Sequence, residues 1–189
     1  MSDTVDAAPA ALARLVEFVN TRRADGDAIG TPEQLTSWLR THELLPEGSA
    51  DTAAQQRTAR VREGLRALLA TNNAEPVTSP RPDGLNPAAR TELAALTAAL
   101  PLTVDVTCTP PRLVPHTSDG VDHALATLLV DVATAVAAGT WSRLKTCREP
   151  SCRWAFYDHS RNRGRTWCSM DVCGNRVKVR ASHRRNAAR

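Results

Sequence analysis

Apolar residues recur at helical spacing along most of the chain. Leu12, Leu15, Val16, Phe18 and Val19 put one apolar face on a helix that ends near residues 22–27, where Gly26 and two aspartates break the pattern. Thr31 reads as an N-cap, with Pro32 at the first helical position and Gln34 completing a capping box; Trp38 and Leu39 of that second helix should face inward. A long helix is predicted over SADTAAQQRTARVREGLRALLATNN, ending at Asn72 and Asn73. The prolines and glycine of AEPVTSPRPDGLNP mark a loop, after which Asn86 caps a helix that starts at Pro87 and runs to about Leu100. The period then changes. LTVDVTCT alternates apolar and polar residues as a strand, and RLVPHT is a second short strand. VDHALATLLVDVATAVAAGTW is apolar on most faces, a central helix. The pattern predicts an α+β chain: a mostly helical N-terminal domain with a small β portion, followed by something different after about residue 140.

Composition refines this. Hydrophobic residues make up 42% but aromatics only 4%, so the core must be built from Leu, Val and Ala. No stretch approaches the roughly 20 apolar residues of a membrane span, and the acidic N-terminus lacks the basic start of a signal peptide. The expectation is a cytoplasmic protein without a membrane partner, whose thiols stay reduced. Charge is divided unevenly. Residues 141–189 carry 13 Lys+Arg against 3 Asp+Glu, a net +10; residues 1–140 carry 11 against 17, a net −6. An acidic body with a strongly basic end suggests that the end meets a polyanion.

The basic end holds four of the five cysteines. Cys147 and Cys152 form one C-x4-C pair, Cys168 and Cys173 another, with fifteen residues between the pairs. Two close pairs joined by a short segment are the pattern of a structural zinc site. Each pair can wrap one edge of a tetrahedron, and four thiolates leave no position for water or substrate, so one Zn²⁺ is expected in a structural role. RWAFYD should form a strand, residues 158–164 a polar turn, RTWC the partner strand, and Ser169 the cap of a helix running through VKVRASHRR. That makes a treble-clef-like finger, too small to fold without its metal. His159 is a weaker candidate ligand, Cys108 reads as a small buried hydrophobe, and His42, His116 and His123 are assigned no role.

Cys173-Gly174-Asn175-Arg176, with WCSM ahead and VKVRASHRR behind, resembles the bacterial CGNR zinc finger over about residues 143–185. In that family the finger is fused to an N-terminal α/β domain called ABATE, in proteins described as stress-induced transcription regulators. EFVNT, residues 17–21, is similar to the opening helix motif of that domain. The resemblance implies an ABATE-like domain over residues 1–140, used for sensing or dimerisation, and a CGNR-type four-cysteine finger over residues 141–189 that binds DNA.

On a helix, Arg176, Arg180 and Arg184 share one stripe, beside Cys173, Val177 and Ala181, which can face the metal. Lys178 and Arg185 extend the polar side, Asn175 stands in the first turn, and Arg161, Arg163 and Arg165 form a second basic group. Arginine suits phosphate and guanine through its bidentate fork. RNA is an alternative target, with Trp154, Phe156, Tyr157 and Trp167 available for stacking, and a protein-interaction adaptor is a third reading. In the body, Asn20, Thr21 and Arg22 could present polar groups to a small-molecule effector, or Asn20 could be a buried residue closing its helix. A homodimer would set the register of base reading. No phosphate loop, HExxH or nucleophile elbow occurs, so no enzyme is expected.

Overall fold

The computed structural model describes residues 10–23, 25–73, 86, 88–117 and 120–187, with the side chains of residues 10, 177, 181, 182, 184, 185 and 187 excepted. The expectations for Pro87 and for the loop from residue 74 lie outside the described residues. Helix α1 spans Ala10–Val19, α2 Pro32–Thr41, α3 Thr52–Ala70, α4 Ala89–Thr97 and α5 Gly120–Ala137. Local chemistry explains where they begin. The Thr31 hydroxyl accepts from the Gln34 N–H at 3.2 Å while the Gln34 side chain accepts from the Thr31 N–H at 3.1 Å, and Asp51 caps α3 through the Ala54 N–H at 2.7 Å. Asn86 accepts from the Ala88 N–H at 3.0 Å, and α4 starts at Ala89, two residues later than the sequence suggests.

Among the described residues the β content is small, in three antiparallel pairs: β1 (Arg22–Arg23) with β2 (Gly26–Asp27), β3 (Leu102–Asp105) with β4 (Arg112–Pro115), and β5 (Leu144–Thr146) with β6 (Ala155–Tyr157). The two strands expected before α5 pair with each other, Leu102 opposite Pro115. Helix α5 is long and apolar enough to cross a bilayer by length and composition. It nevertheless works as a core helix, packing against α1 and β4 and burying Leu125 and Leu128. Its one buried acid, Asp131, is gripped by both nitrogens of the Arg14 fork at 2.8 Å, which fixes α1 against α5. Helix α4 lies close on α3 at Gly64, where a Cβ would stand 2.6 Å from that of Leu93.

The basic end is not a separate bead. Leu144 and Ala155 belong to the same apolar cluster as Leu15, Phe18 and Val61, and both are fully buried. The Asn20 amide closes the seam: its nitrogen donates to the Ala155 carbonyl at 2.9 Å and its oxygen accepts from the Ala155 N–H at 2.8 Å. Ala155 turns its backbone away from β5, so one side chain does for β6 what a further strand would do. Asn72 donates to the carbonyls of Trp141 and Leu144, Asn73 to that of Thr146. Arg66 donates to the Arg153 carbonyl at 2.8 Å and also to the Val19 carbonyl.

Candidate metal centre and basic surface

The finger begins where β5 ends. The strand partner of Ala155–Tyr157 is Leu144–Thr146, ahead of the first cysteine pair, and RTWC forms no strand. Leu144 is apolar and seated in the body's core, so β5 is held in place before the metal loop starts. Cys147 and Cys152 therefore sit on the turn of a hairpin. The Cys147 N–H donates to the Trp154 carbonyl at 2.8 Å, and the turn is drawn tight by the N–H groups of Cys152 and Arg153 donating to the Glu149 carbonyl. The chain returns through residues 158–167 to Cys168. Ser169 accepts from the Val172 N–H at 3.3 Å and caps a wide turn, Met170–Gly174, that places Cys173 and leads into α6, Asn175–Ala187.

This path gathers all four sulfurs within 4.8 Å of one another. Cys152 and Cys168 lie 3.5 Å apart and Cys168 and Cys173 3.7 Å. A tetrahedron with Zn–S bonds of 2.3 Å separates its sulfurs by about 3.8 Å, so the donor set fits that ion. Backbone N–H groups of Glu149 and Cys168 point at the Cys147 sulfur, and that of Trp154 at Cys152, which favours thiolates. Crowding works against four thiolates without a metal. Burial and the neighbouring sulfurs push the Cys168 thiol up to about 12, and the hydrogen bond with Cys152, with burial, raises Cys147. A divalent cation removes that conflict. These cysteines can hold one structural zinc. Phe156, Trp154 and Trp167 pack around them, a shielding use of the aromatics, while Tyr157 packs on the body's core. His159 is exposed beside Tyr157 and outside the sulfur cluster.

Two ion pairs hold the finger's loops. The Lys145 ammonium and Asp158 carboxylate, 2% and 0% exposed, meet at 2.8 Å, and the same ammonium donates to the carbonyls of Arg163 and Arg165. Burial alone would raise Asp158; hydrogen bonds from Lys145 and Ser160 outweigh it and hold the carboxyl down at about 2. The second pair joins the first cysteine turn to α6. Buried Glu149 accepts from Arg180 at 2.8 and 3.2 Å and from the Ser151 hydroxyl at 2.7 Å, and these bonds overcome its burial to lower its pKa.

The basic residues singled out by the sequence therefore divide. Arg180 braces α6 through Glu149, and Arg176 donates to the Ser151 hydroxyl at 3.0 Å. Arg165 lies over the Phe156 ring and donates to the carbonyls of Trp167 and Cys168. Arg163, with a positive φ of 51°, donates to the Ser142 hydroxyl, and Asn175 to the Asp171 carbonyl. Arg161 and Lys178 are exposed and reach solvent. The side chains of Val177, Ala181, Arg184 and Arg185 lie outside the described residues, and the α6 stripe is observed only at Arg176 and Arg180. Gly174 opens no space toward a phosphate on its Cβ side, which the Met170 side chain fills. In the body, Asn20 and Thr21 are buried. Asn20 is hydrogen-bonded as the alternative to a ligand site required, but its partner is the finger rather than its own helix; Thr21 accepts from Arg62. Arg22 is exposed.

Comparison with known families returns two matches. Residues 12–139 match the ABATE model, described as "Putative stress-induced transcription regulator". Residues 143–186 match the CGNR zinc finger. No curated protein matches the chain.

Proposed function

Since the chain belongs to the ABATE family and carries a CGNR zinc finger, we propose that it is a cytoplasmic, non-enzymatic transcription regulator that grips DNA with the finger. The division of labour puts the DNA contacts in residues 141–189 and leaves sensing or dimerisation to residues 1–140. The observation that carries this reading is the net +10 of residues 141–189 on a finger whose four cysteines cluster and whose strands are seated in the body's core. Arg161 and Lys178 are the first candidates for phosphate contact, because their exposed side chains make no bond among the described residues; Arg184 and Arg185 extend the same helix. Arg163, Arg176 and Asn175 are exposed and hold only single hydrogen bonds, which a phosphate or base edge can replace. Arg165 and Arg180 act chiefly by holding the surface in shape.

A gel-shift titration of the zinc-loaded chain against duplex DNA and structured RNA, repeated over a salt series, tests this. Duplex DNA should be retained with an affinity that falls steeply with salt, and Arg161→Gln with Lys178→Gln should reduce the slope by about two. Absence of DNA retention, preference for RNA at every salt concentration, or an unchanged slope in the double variant would overturn the assignment.

A further inference from the structure

A cleft with a volume of about 1130 Å³ lies where the body meets the first cysteine turn. Six arginines line it: Arg22, Arg23 and Arg60 on its exposed parts, Arg62 and Arg66 in its floor, and Arg153 from the finger. Three carboxylates face them, Asp27, Glu63 and Glu92.

The floor is satisfied internally. Arg62, 1% exposed, is held by Asp27 at 2.6 and 2.9 Å and by Glu63 at 3.0 Å, and Arg66, 3% exposed, shares Glu63 at 3.1 Å. Arg22 shares Asp27 at 3.6 Å. The rim is not. Arg23 lies over the Trp154 ring at 5.3 Å, and among the described residues the Arg153 side chain donates to the Pro150 carbonyl alone. Arg60 makes no ion pair among the described residues. Among the described lining residues, Glu92 is the carboxylate left to offset these three. Arg153 also adopts a left-handed backbone, φ 53°, which costs a non-glycine residue energy, and the Arg66 bond to its carbonyl helps hold it there.

We propose that this cleft binds a small polyphosphate ester. Cationic groups in a concave site focus a positive potential, and guanidinium forks match phosphate oxygens in bidentate fashion. The volume accommodates a nucleotide-sized molecule with its water, since small-molecule sites run to about 1000 Å³. The excess of rim cations matches a di- or triphosphate better than a single carboxylate. Because the cleft is built from β1, β2, α3, α4 and the finger turn, a ligand there touches both halves of the molecule. As an effector site it rests on the regulator reading, whereas binding itself does not.

Calorimetric titration of the zinc-loaded full chain at fixed ionic strength separates the two. The probes are ATP, inorganic tripolyphosphate and adenosine. ATP and tripolyphosphate should bind saturably and adenosine should not. Arg23→Gln with Arg60→Gln, or Arg60→Gln alone at an exposed position of α3, should weaken both by about tenfold or more, with zinc content and helical content unchanged. Arg161→Gln with Lys178→Gln, which tests the DNA surface, should leave ATP affinity as it was. The proposal falls if neither phosphate probe binds, if adenosine binds as tightly as ATP, or if the Arg23/Arg60 variants bind like wild type. It falls equally if the Arg161/Lys178 variant weakens ATP binding as much, or if the cleft variants lose only duplex DNA affinity.

Discussion

Replacing Asn20 with alanine tests whether body and finger fold as one unit. The side chain is 4% exposed and makes two hydrogen bonds to the backbone of Ala155, itself fully buried. Alanine leaves that N–H and that carbonyl without partners where water does not reach. Each unpaired buried group costs about 1–3 kcal/mol, so the variant should lose about 2–6 kcal/mol. Against the 5–15 kcal/mol typical of a whole domain, this is a large fraction. Urea unfolding should be followed by far-UV dichroism, which reports the helices, and in parallel by zinc release to a colorimetric chelator. Both transitions should move to lower urea together, because Leu144 and Ala155 share a core with Leu15 and Phe18. A loss below about 0.5 kcal/mol would refute the seam as a structural element. Zinc released early while the helices melt as before would show that the finger undocks alone.

Metal analysis should find one zinc per chain, and Cys168→Ser should lose it; hydrogen exchange should then rise across α6 while α1, α3 and α5 stay protected. Asp158→Asn should cost about 3–5 kcal/mol at neutral pH by leaving the buried Lys145 ammonium uncompensated, read by urea unfolding. The Asp158 pKa is depressed in the fold, so its contribution is present above the ordinary value near 4 and fades as pH falls toward about 2; the difference between variant and wild type should shrink over that window. Gly64→Ala should lower the thermal midpoint by the equivalent of about 1–3 kcal/mol, because its Cβ would meet the Leu93 Cβ at 2.6 Å and the Ala89 carbonyl at 3.0 Å. Gly174→Ala should cost less than about 1 kcal/mol, since the atom it meets is the Met170 sulfur, which can swing aside.

What the sequence disclosed was local. Thr31, Pro32 and Gln34 announce the start of α2 because the capping box closes within four residues, and the four cysteines announce their cluster because spacing alone limits how they can meet. Partners far along the chain were hidden. RTWC looked like the second strand of the finger, yet β6 pairs with residues upstream of the metal loop, a choice made by the burial of Leu144. Helical spacing put Arg176 and Arg180 on one stripe, but not Glu149 and Ser151 opposite them, 31 and 25 residues back. Asn20 offered only an amide at a helix end; its partner is 135 residues away. Helix α5 was legible as a central helix because it is apolar on most faces, and it buries Leu125 and Leu128 in the core.

The docking of the finger bears directly on how such a protein could read DNA. Base recognition requires the reading element to be held in one register, and a small zinc module on a loose tether lacks that constraint. Beside the shared apolar core, the hydrogen bonds of the seam run from body side chains to finger backbone: Asn20 at Ala155, Arg66 at Arg153, Asn72 at Leu144 and Asn73 at Thr146. Such contacts fix position and make no demand on the side chains of the finger. The finger's own ion pairs then spend Arg180 and Lys145 on shape. Arg161 and Lys178 are left projecting from a surface whose orientation the body dictates. One buried guanidinium, that of Arg66, thus ties the carbonyls of Val19 and Arg22 in the body to that of Arg153 in the cysteine turn.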